Sequence, residues 1–316
     1  MANGETDNES IHQLVSQFLG LQQSVHTKRA YRADLKQFTT HLIKRDLSHD
    51  CLLKVSPREL HAESIAFLNR QTKRDPVSGH ILNTNTLNRK RYCLASFFQY
   101  LHSVYGYPHN PIHGIKAYPK QEASNTPILS AEEIRSLIKT LSERRSEGFS
   151  AFRNYLVIAT LFHFALRRTE LAGLRWDQLH PNPWHFAIRQ KGNRLKYVPV
   201  FPELMARLNE YRLVAPEGEY LFSPAQNNRT KSLNKPLSTN SILNIVAKIS
   251  TLYLGGKHIT PHSFRASFIC HARDLGLDDK TIMNATGQTS TRTLNYYDIR
   301  NRLRSNGVLF FRDWFA

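Results

Sequence analysis

A chain of 316 residues with 41 % hydrophobic content is long enough for two domains with buried cores, which excludes a disordered tail protein. Lysine and arginine number 43 against 25 acidic residues, a net charge of +18, and an excess of that size points to a polyanion, above all nucleic acid. Up to Tyr118 there are 15 basic and 9 acidic residues, and beyond it 28 and 16, so both halves are basic, as expected if they grip one polyanion from opposite sides.

Residues 1–10 are polar and acidic, without the apolar stretch of a secretory leader, and read as a flexible N-terminus. From Ile11 to about Leu101 the apolar spacing is helical. After Ser24, Tyr31, Leu35, Phe38 and Leu42 form one apolar stripe, while Lys28, Arg29, Arg32 and Lys36 supply a basic one on the same helix. A second helix follows Asn83-Thr84-Asn85-Thr86, which is N-cap material. It buries Leu87, Leu94, Phe98 and Leu101, and Arg89, Lys90 and Arg91 crowd its first turn. Two basic stripes in one small helical domain, 11–106, predict a surface that tracks phosphates.

Four prolines and two glycines between Tyr105 and Pro127 predict a linker over 107–127. A second domain over 128–316 opens with the capping box Ser130/Glu133, and Ile134, Leu137, Ile138 and Leu141 are the buried side of its first helix. The longest apolar run, Tyr155 to Leu166, is interrupted by His163, is too short to cross a bilayer and reads as a core helix. A hairpin follows, with strands over 185–190 and 195–200 joined by Lys191-Gly192-Asn193-Arg194, and helices dominate again after Ser241. The predicted fold is mainly α, a helical N-terminal clamp plus a mixed α/β domain with a small antiparallel sheet. Cys51, Cys93 and Cys270 are far apart without a CxxC pair, so neither a disulfide framework nor a zinc ribbon is expected, and a reducing, cytoplasmic setting fits.

Four short stretches carry chemistry. They are Ala165-Leu166-Arg167-Arg168-Thr169-Glu170-Leu171, Gln190-Lys191-Gly192-Asn193, Pro261-His262-Ser263-Phe264-Arg265 and Asn295-Tyr296-Tyr297. Breaking a phosphodiester without a metal needs fixed positive charge on the non-bridging oxygens, a nucleophile, and an acid for the leaving 5′-oxygen. Arg167 and Arg265 fit the first role, because a guanidinium binds two phosphate oxygens and keeps its charge. Zinc is not expected at His258, His262 and His271, since Pro261 interrupts their spacing and no clustered Cys or Asp completes a set.

Taken in order, these stretches resemble the boxes of the tyrosine recombinases, the phage-integrase and Xer-like family. The segment 165–174 is similar to its first arginine box, and 188–200 to its lysine hairpin. Thr260 to Arg265 resembles its His-x-x-Arg box, and Thr286-Gly287-Gln288 with Thr293 to Tyr297 its final box and tyrosine. Thr27 to Leu35 resembles the opening helix of the family's DNA clamp. The resemblance implies that Arg167 and Arg265 hold the scissile phosphate, with Glu170 orienting Arg167. Lys191 would be the general acid, with Arg194 and Lys196 as rivals. His262 would bond the phosphate or take the tyrosine proton.

It further implies that Tyr297 is the nucleophile, with Tyr296 as its competitor, since adjacent helical residues point about 100° apart. Gln288 stands where the family usually has a second histidine; an amide donates a hydrogen bond but carries no charge.

The implied partners are double-stranded DNA with inverted core-site arms and three further copies of the chain in a tetramer, from a monomer or weak dimer when free. An accessory protein or second recombinase fits the same scheme; no cofactor, metal or membrane is implied. Three roles stay open at this point: recombinase, type IB topoisomerase or telomere resolvase, and a DNA-binding regulator on the same fold. The end of the chain, 299–316, is rich in aromatic residues and is expected to dock on its own core or on a neighbouring protomer.

Overall fold

A computed structural model describes residues 10–47, 52–72, 82–119, 126–190, 193–225 and 233–297, without the side chains of Tyr296 and Tyr297. The N-terminal stretch 1–9, Lys191 and the tail 299–316 thus lie outside the described residues. The chain forms two compact units divided between Gln121 and Glu122.

The first unit is helical: α1 (Ile11–Gly20), α2 (Val25–Ile43), α3 (Pro57–Thr72) and α4 (Thr84–Tyr105). Each start has a local cause. Ser10 and Gln13 form a capping box on α1, Ser24 Oγ accepts the Thr27 N–H at 3.3 Å on α2, and Asn83 Oδ1 accepts that of Thr86 at 2.8 Å on α4. α4 stops at Gly106, whose φ of +67° is the left-handed conformation glycine adopts at little cost. The two sequence stripes meet in the core: Leu35, Phe38, Leu42, Leu94, Phe98 and Leu101 are all fully buried, and Phe38 meets Phe98 edge to face at 5.9 Å. Tyr31 lies at the margin, stacked on Phe18. Much of the expected linker belongs to this unit. Tyr107 and Ile112 are buried in its core, Tyr107 Oη donates to the Val55 carbonyl at 2.7 Å, and His61 Nδ1 meets the Pro111 carbonyl at 2.6 Å.

The second unit begins with α5 (Ala131–Glu143), capped by Ser130 and Glu133 as its sequence requires. Next comes α6 (Phe149–His163), where Leu156, Val157, Ile158 and Leu161 are fully buried. The short α7 (Arg168–Ala172) leads to a three-stranded antiparallel sheet of β1 (Leu179–His180), β2 (His185–Arg189) and β3 (Leu195–Pro199), in that order. β1, two residues long, carries no readable alternation and was not expected from the sequence. The β2–β3 register pairs Phe186 with Val198 and Ile188 with Lys196, which puts these four on the inner face. Helices α8 (Pro202–Val214), α9 (Thr239–Tyr253), α10 (Pro261–Asp274), α11 (Asp279–Thr286) and α12 (Thr291–Tyr297) complete it. α6 packs against α5, α8 and α10, and α11 lies on β3. None of the described helices is long and apolar enough to cross a membrane.

Candidate active site

The site grows from the turn that ends α6. Ala165 N–H donates to Phe162 O at 3.0 Å and Leu166 N–H to Leu161 O at 3.3 Å, the pair of bonds that closes a helix in a Schellman turn. The left-handed position falls on Ala165, with φ +46°, where a glycine would sit without strain. Both residues are fully buried, so the turn emerges rigidly and delivers Arg167 in extended conformation as the N-cap of α7.

Glu170 then folds back on it. Its Oε2 accepts the Arg167 backbone N–H at 2.9 Å, and its Oε1 accepts the guanidinium Nη1 at 2.6 Å. Burial alone would raise this carboxyl; the hydrogen bonds from Arg167 and the charges of Arg167 and Lys196 outweigh it and hold the group below the usual carboxylate range. Arg167 is thereby fixed at its base while its side chain stays 42 % exposed.

A second guanidinium reaches the same turn from far along the chain. α10 starts with Thr260 as N-cap and Pro261 in its first turn, a pre-organised helix start, and places His262 and Arg265 one turn apart on one face. Arg265 is 1 % exposed, and its Nη1 donates to the Ala165 carbonyl at 2.6 Å. His262 is open to solvent by surface area yet ringed by protein atoms. That crowding, then the charges of Arg265 and Arg167, push its imidazole below the ordinary 6.5, so it stays neutral at pH 7 and able to accept a proton.

Two inward-facing polar residues of the hairpin complete the cluster. Lys196 is buried and its Nζ donates to the Phe164 carbonyl, next to the Ala165 carbonyl that Arg265 holds. Burial lowers its pKa to about 7; Glu170 works against the shift, while Arg265 and Arg167 add to it. Gln190 is also buried, and its Nε2 donates to Glu170 Oε1 at 3.0 Å.

The final box supplies the remaining wall. α11 ends at Gly287, left-handed at φ +66°, and Gln288 follows, buried, with its Oε1 accepting from Thr286 Oγ1 at 3.2 Å. With that oxygen engaged, the group Gln288 can offer a phosphate is its N–H. A cleft of ≈ 340 Å³ beside it is lined by Gln190, Lys196, Asn284 and Gln288 among others. Leu294, fully buried with Ile269, Ala272 and Ile282, pins α12 to α10 and α11, and Arg273 Nη2 donates to Asn295 Oδ1 at 2.7 Å. The backbone of Tyr296 and Tyr297 is therefore fixed at the end of an anchored helix.

Of the expected site residues, Arg167, Glu170, His262, Arg265 and Gln288 thus fall within one unit around the α6–α7 turn, Lys191 lies outside the described residues, and Tyr297 is placed by its backbone. Gln190 and Ala165 were not anticipated. The signal for Gln190 was in the strand alternation: Phe186, Ile188 and Gln190 share a face, and a polar side chain at a core register needs a partner.

The basic residues of the first unit divide in two. Arg29, Arg32 and Lys36 are exposed, and Lys28 is half-buried; Lys28, Arg32 and Lys36 line a groove of ≈ 370 Å³ between α1 and α2. The three α4 residues are each engaged within the unit. Lys90 is buried, with Nζ on Asp34 Oδ1 at 3.1 Å and on Gln37 Oε1 at 2.5 Å. Arg89 pairs with the same Asp34 and is half-buried, and Arg91 donates Nε to the Ile115 carbonyl at 2.6 Å. Asp34, buried in the middle of α2, is what draws Lys90 inward, since neither charge can be buried without the other.

Residues 127–302 match the family model described as the phage integrase family. A tyrosine recombinase of Pseudothermotoga lettingae is 29 % identical over 279 residues, 87 % of each chain. The XerC tyrosine recombinase of Syntrophus aciditrophicus is 26 % identical over 286 residues, again 87 % of each. Among solved structures, the XerH recombinase bound to its difH substrate before cleavage superposes with a TM-score of 0.66 at 19 % identity, covering 96 % of this chain and 85 % of that one. A lambda integrase tetramer on a Holliday junction gives 0.62 at 14 % identity, covering 90 % and 79 %. With more than half of its length matched, the chain belongs to the phage integrase family and is a tyrosine recombinase, an enzyme that cuts and rejoins DNA strands.

Proposed function

We propose that this protein is a site-specific recombinase in which Arg167 and Arg265 hold the scissile phosphate and Tyr297 attacks it. Tyr297 Oη forms the bond to phosphorus and passes its proton to neutral His262. The bond from phosphorus to the 5′-oxygen breaks, and Lys191 protonates that oxygen. The 3′-phosphotyrosyl link conserves the energy of the broken bond, so a 5′-hydroxyl from another strand reverses the step without ATP. Gln288 donates its N–H to a non-bridging oxygen. Losing one such donor slows comparable sites about 10²-fold, so an amide in place of a charged ring makes for a slower step, not a dead one.

One observation carries this reading. Two guanidiniums from segments 98 positions apart meet at one turn: buried Arg265 donates Nη1 to the Ala165 carbonyl at 2.6 Å, two residues before Arg167, whose side chain is 42 % exposed. A regulator that only gripped DNA would have no use for a buried arginine anchoring the turn that presents a second one. The solvent-facing part of the basic set, exposed Arg29, Arg32 and Lys36 with half-buried Lys28, is assigned to backbone phosphates of the core site. Two protomers on inverted arms and four in the synapse then exchange strands in pairs through a Holliday junction, in integration, excision or resolution of a mobile element or replicon.

The test is covalent capture on nicked suicide substrates carrying inverted arms. A protein–DNA adduct is expected from the wild type and from Tyr296→Phe, and none from Tyr297→Phe. The opposite pattern moves the nucleophile to Tyr296. An absence of adduct with any substrate, at undiminished DNA binding, would leave a DNA-binding regulator as the surviving reading.

A further inference from the structure

We propose that Gln190 is a positioning residue for Arg167, acting through Glu170, and that it locks the hairpin, the arginine turn and the Gly287–Gln288 turn into one unit. The inference rests on the catalytic reading above. Three contacts of a single residue carry it. The Gln190 backbone N–H donates to the Arg194 carbonyl at 2.8 Å and closes the β2–β3 hairpin. Its Nε2 donates to Glu170 Oε1 at 3.0 Å, the same oxygen that receives Arg167 Nη1 at 2.6 Å. Its side chain also lies against Gly287, so closely that a Cβ built there would stand 2.6 Å from Gln190 Cδ.

The chemistry of the donor explains why a glutamine suits this place. Glu170 is buried and ion-paired to the Arg167 guanidinium, and a carboxylate oxygen accepts more than one hydrogen bond. A neutral N–H satisfies the oxygen without competing for the charge, whereas a lysine would pull Glu170 away from Arg167 and a glutamate would repel it. Gly287 suits its left-handed backbone, and a Cβ there would push the Gln190 amide from its place. The bond links the stem of the hairpin directly to the carboxylate that orients Arg167, and the packing links it to the turn that presents Gln288. Any motion of the hairpin stem is therefore felt at the arginine.

The experiment compares the wild type, Gln190→Met, Glu170→Gln and the double variant. Methionine keeps the length and packing of the side chain and removes the N–H. Single-turnover adduct formation is measured on the nicked substrate with protein in saturating excess, beside DNA affinity and melting temperature. Gln190→Met is expected to slow cleavage about 10-fold or more, the rate equivalent of one lost hydrogen bond to a charged group. DNA affinity should be unchanged within about 2-fold. In the Glu170→Gln background the same change should slow cleavage by less than about 2-fold, because the bond acts through that carboxylate.

An active wild type with Gln190→Met cleaving at the same rate overturns this inference alone. So does an equal slowing in both backgrounds, and so does a loss confined to melting temperature or DNA affinity. A wild type that forms no adduct overturns the catalytic reading together with it.

Discussion

Arg265 donates its Nη1 to the carbonyl of Ala165 at 2.6 Å, and so a residue of the third box holds the turn that presents the first. The bond makes Arg265 part of the scaffold as well as the site. Removing it leaves a buried carbonyl without its donor and a hole the size of a large side chain, losses of about 1–3 kcal/mol for the carbonyl alone. Arg167, 42 % exposed, leaves no such hole. Arg265→Ala is therefore expected to lower both adduct formation and melting temperature, whereas Arg167→Ala abolishes the adduct with a smaller thermal loss. Denaturation midpoints of the two variants beside wild type decide it; equal losses would contradict a structural share for Arg265.

The strain at Ala165 gives a second prediction. A non-glycine residue in the left-handed region carries a penalty of about 1–2 kcal/mol, and glycine offsets part of its own relief by loosening the unfolded chain. At φ +46° the relief of strain exceeds the loss of one buried methyl group, and Ala165→Gly should stabilise the protein by roughly 0.5 kcal/mol. Ala165→Val should destabilise it by more than that. Chemical unfolding of both variants checks the sign; a destabilised glycine variant would mean that the buried methyl outweighs the strain.

Lys196 predicts a pH dependence. Its amino group titrates at about 7 in the folded protein against 10.5 for an ordinary lysine. Between those values the unfolded chain binds the extra proton, so stability contributed at this position rises as pH climbs from about 7 towards 10.5 and is absent below about 7. Lys196→Met has nothing to titrate there. The difference in melting temperature, wild type minus variant, should therefore grow between pH 7 and 9. A difference that stays constant across that range would show that Lys196 keeps its proton.

The split among the basic residues of the first unit can be read from salt. Each lysine or arginine that neutralises a DNA phosphate contributes about 0.9 to the slope of log affinity against log salt. Arg32→Ala and Lys36→Ala are each expected to weaken DNA binding and to shallow that slope by about one. Lys90→Met should leave the slope alone and instead lower stability, because it leaves buried Asp34 with one of its two charged partners, the half-buried Arg89. A shallower slope for Lys90→Met would return that lysine to the DNA surface.

Most of the framework is legible in the order of the residues. Ser10, Ser24, Asn83 and Ser130 cap the helices they precede, because a cap is a contact between residues three apart and so is written in adjacent letters. The apolar stripes of α2 and α4 reach the core for the same reason. The stretch 107–127 reads as a linker because proline and glycine mark turns, whether a turn joins domains or wraps one. Tyr107 and Ile112 show which case this is only through the core they enter.

By itself the sequence supplied the inventory of the proposed site and its order: two arginine-bearing stretches, a lysine hairpin, a histidine, Gln288 and a late tyrosine. These are matters of residue type and spacing, and no folding is needed to count them. Only the tertiary structure decided what each charge is worth. It buried Lys90 on Asp34 and Lys196 on the Phe164 carbonyl while leaving Arg32 and Lys36 in solvent, and it brought Arg265 to the turn before Arg167 and Gln190 to Glu170. The reason is desolvation: a basic residue becomes a phosphate ligand, a core ion pair or a near-neutral amine according to what surrounds it in space, and those neighbours come from distant parts of the chain.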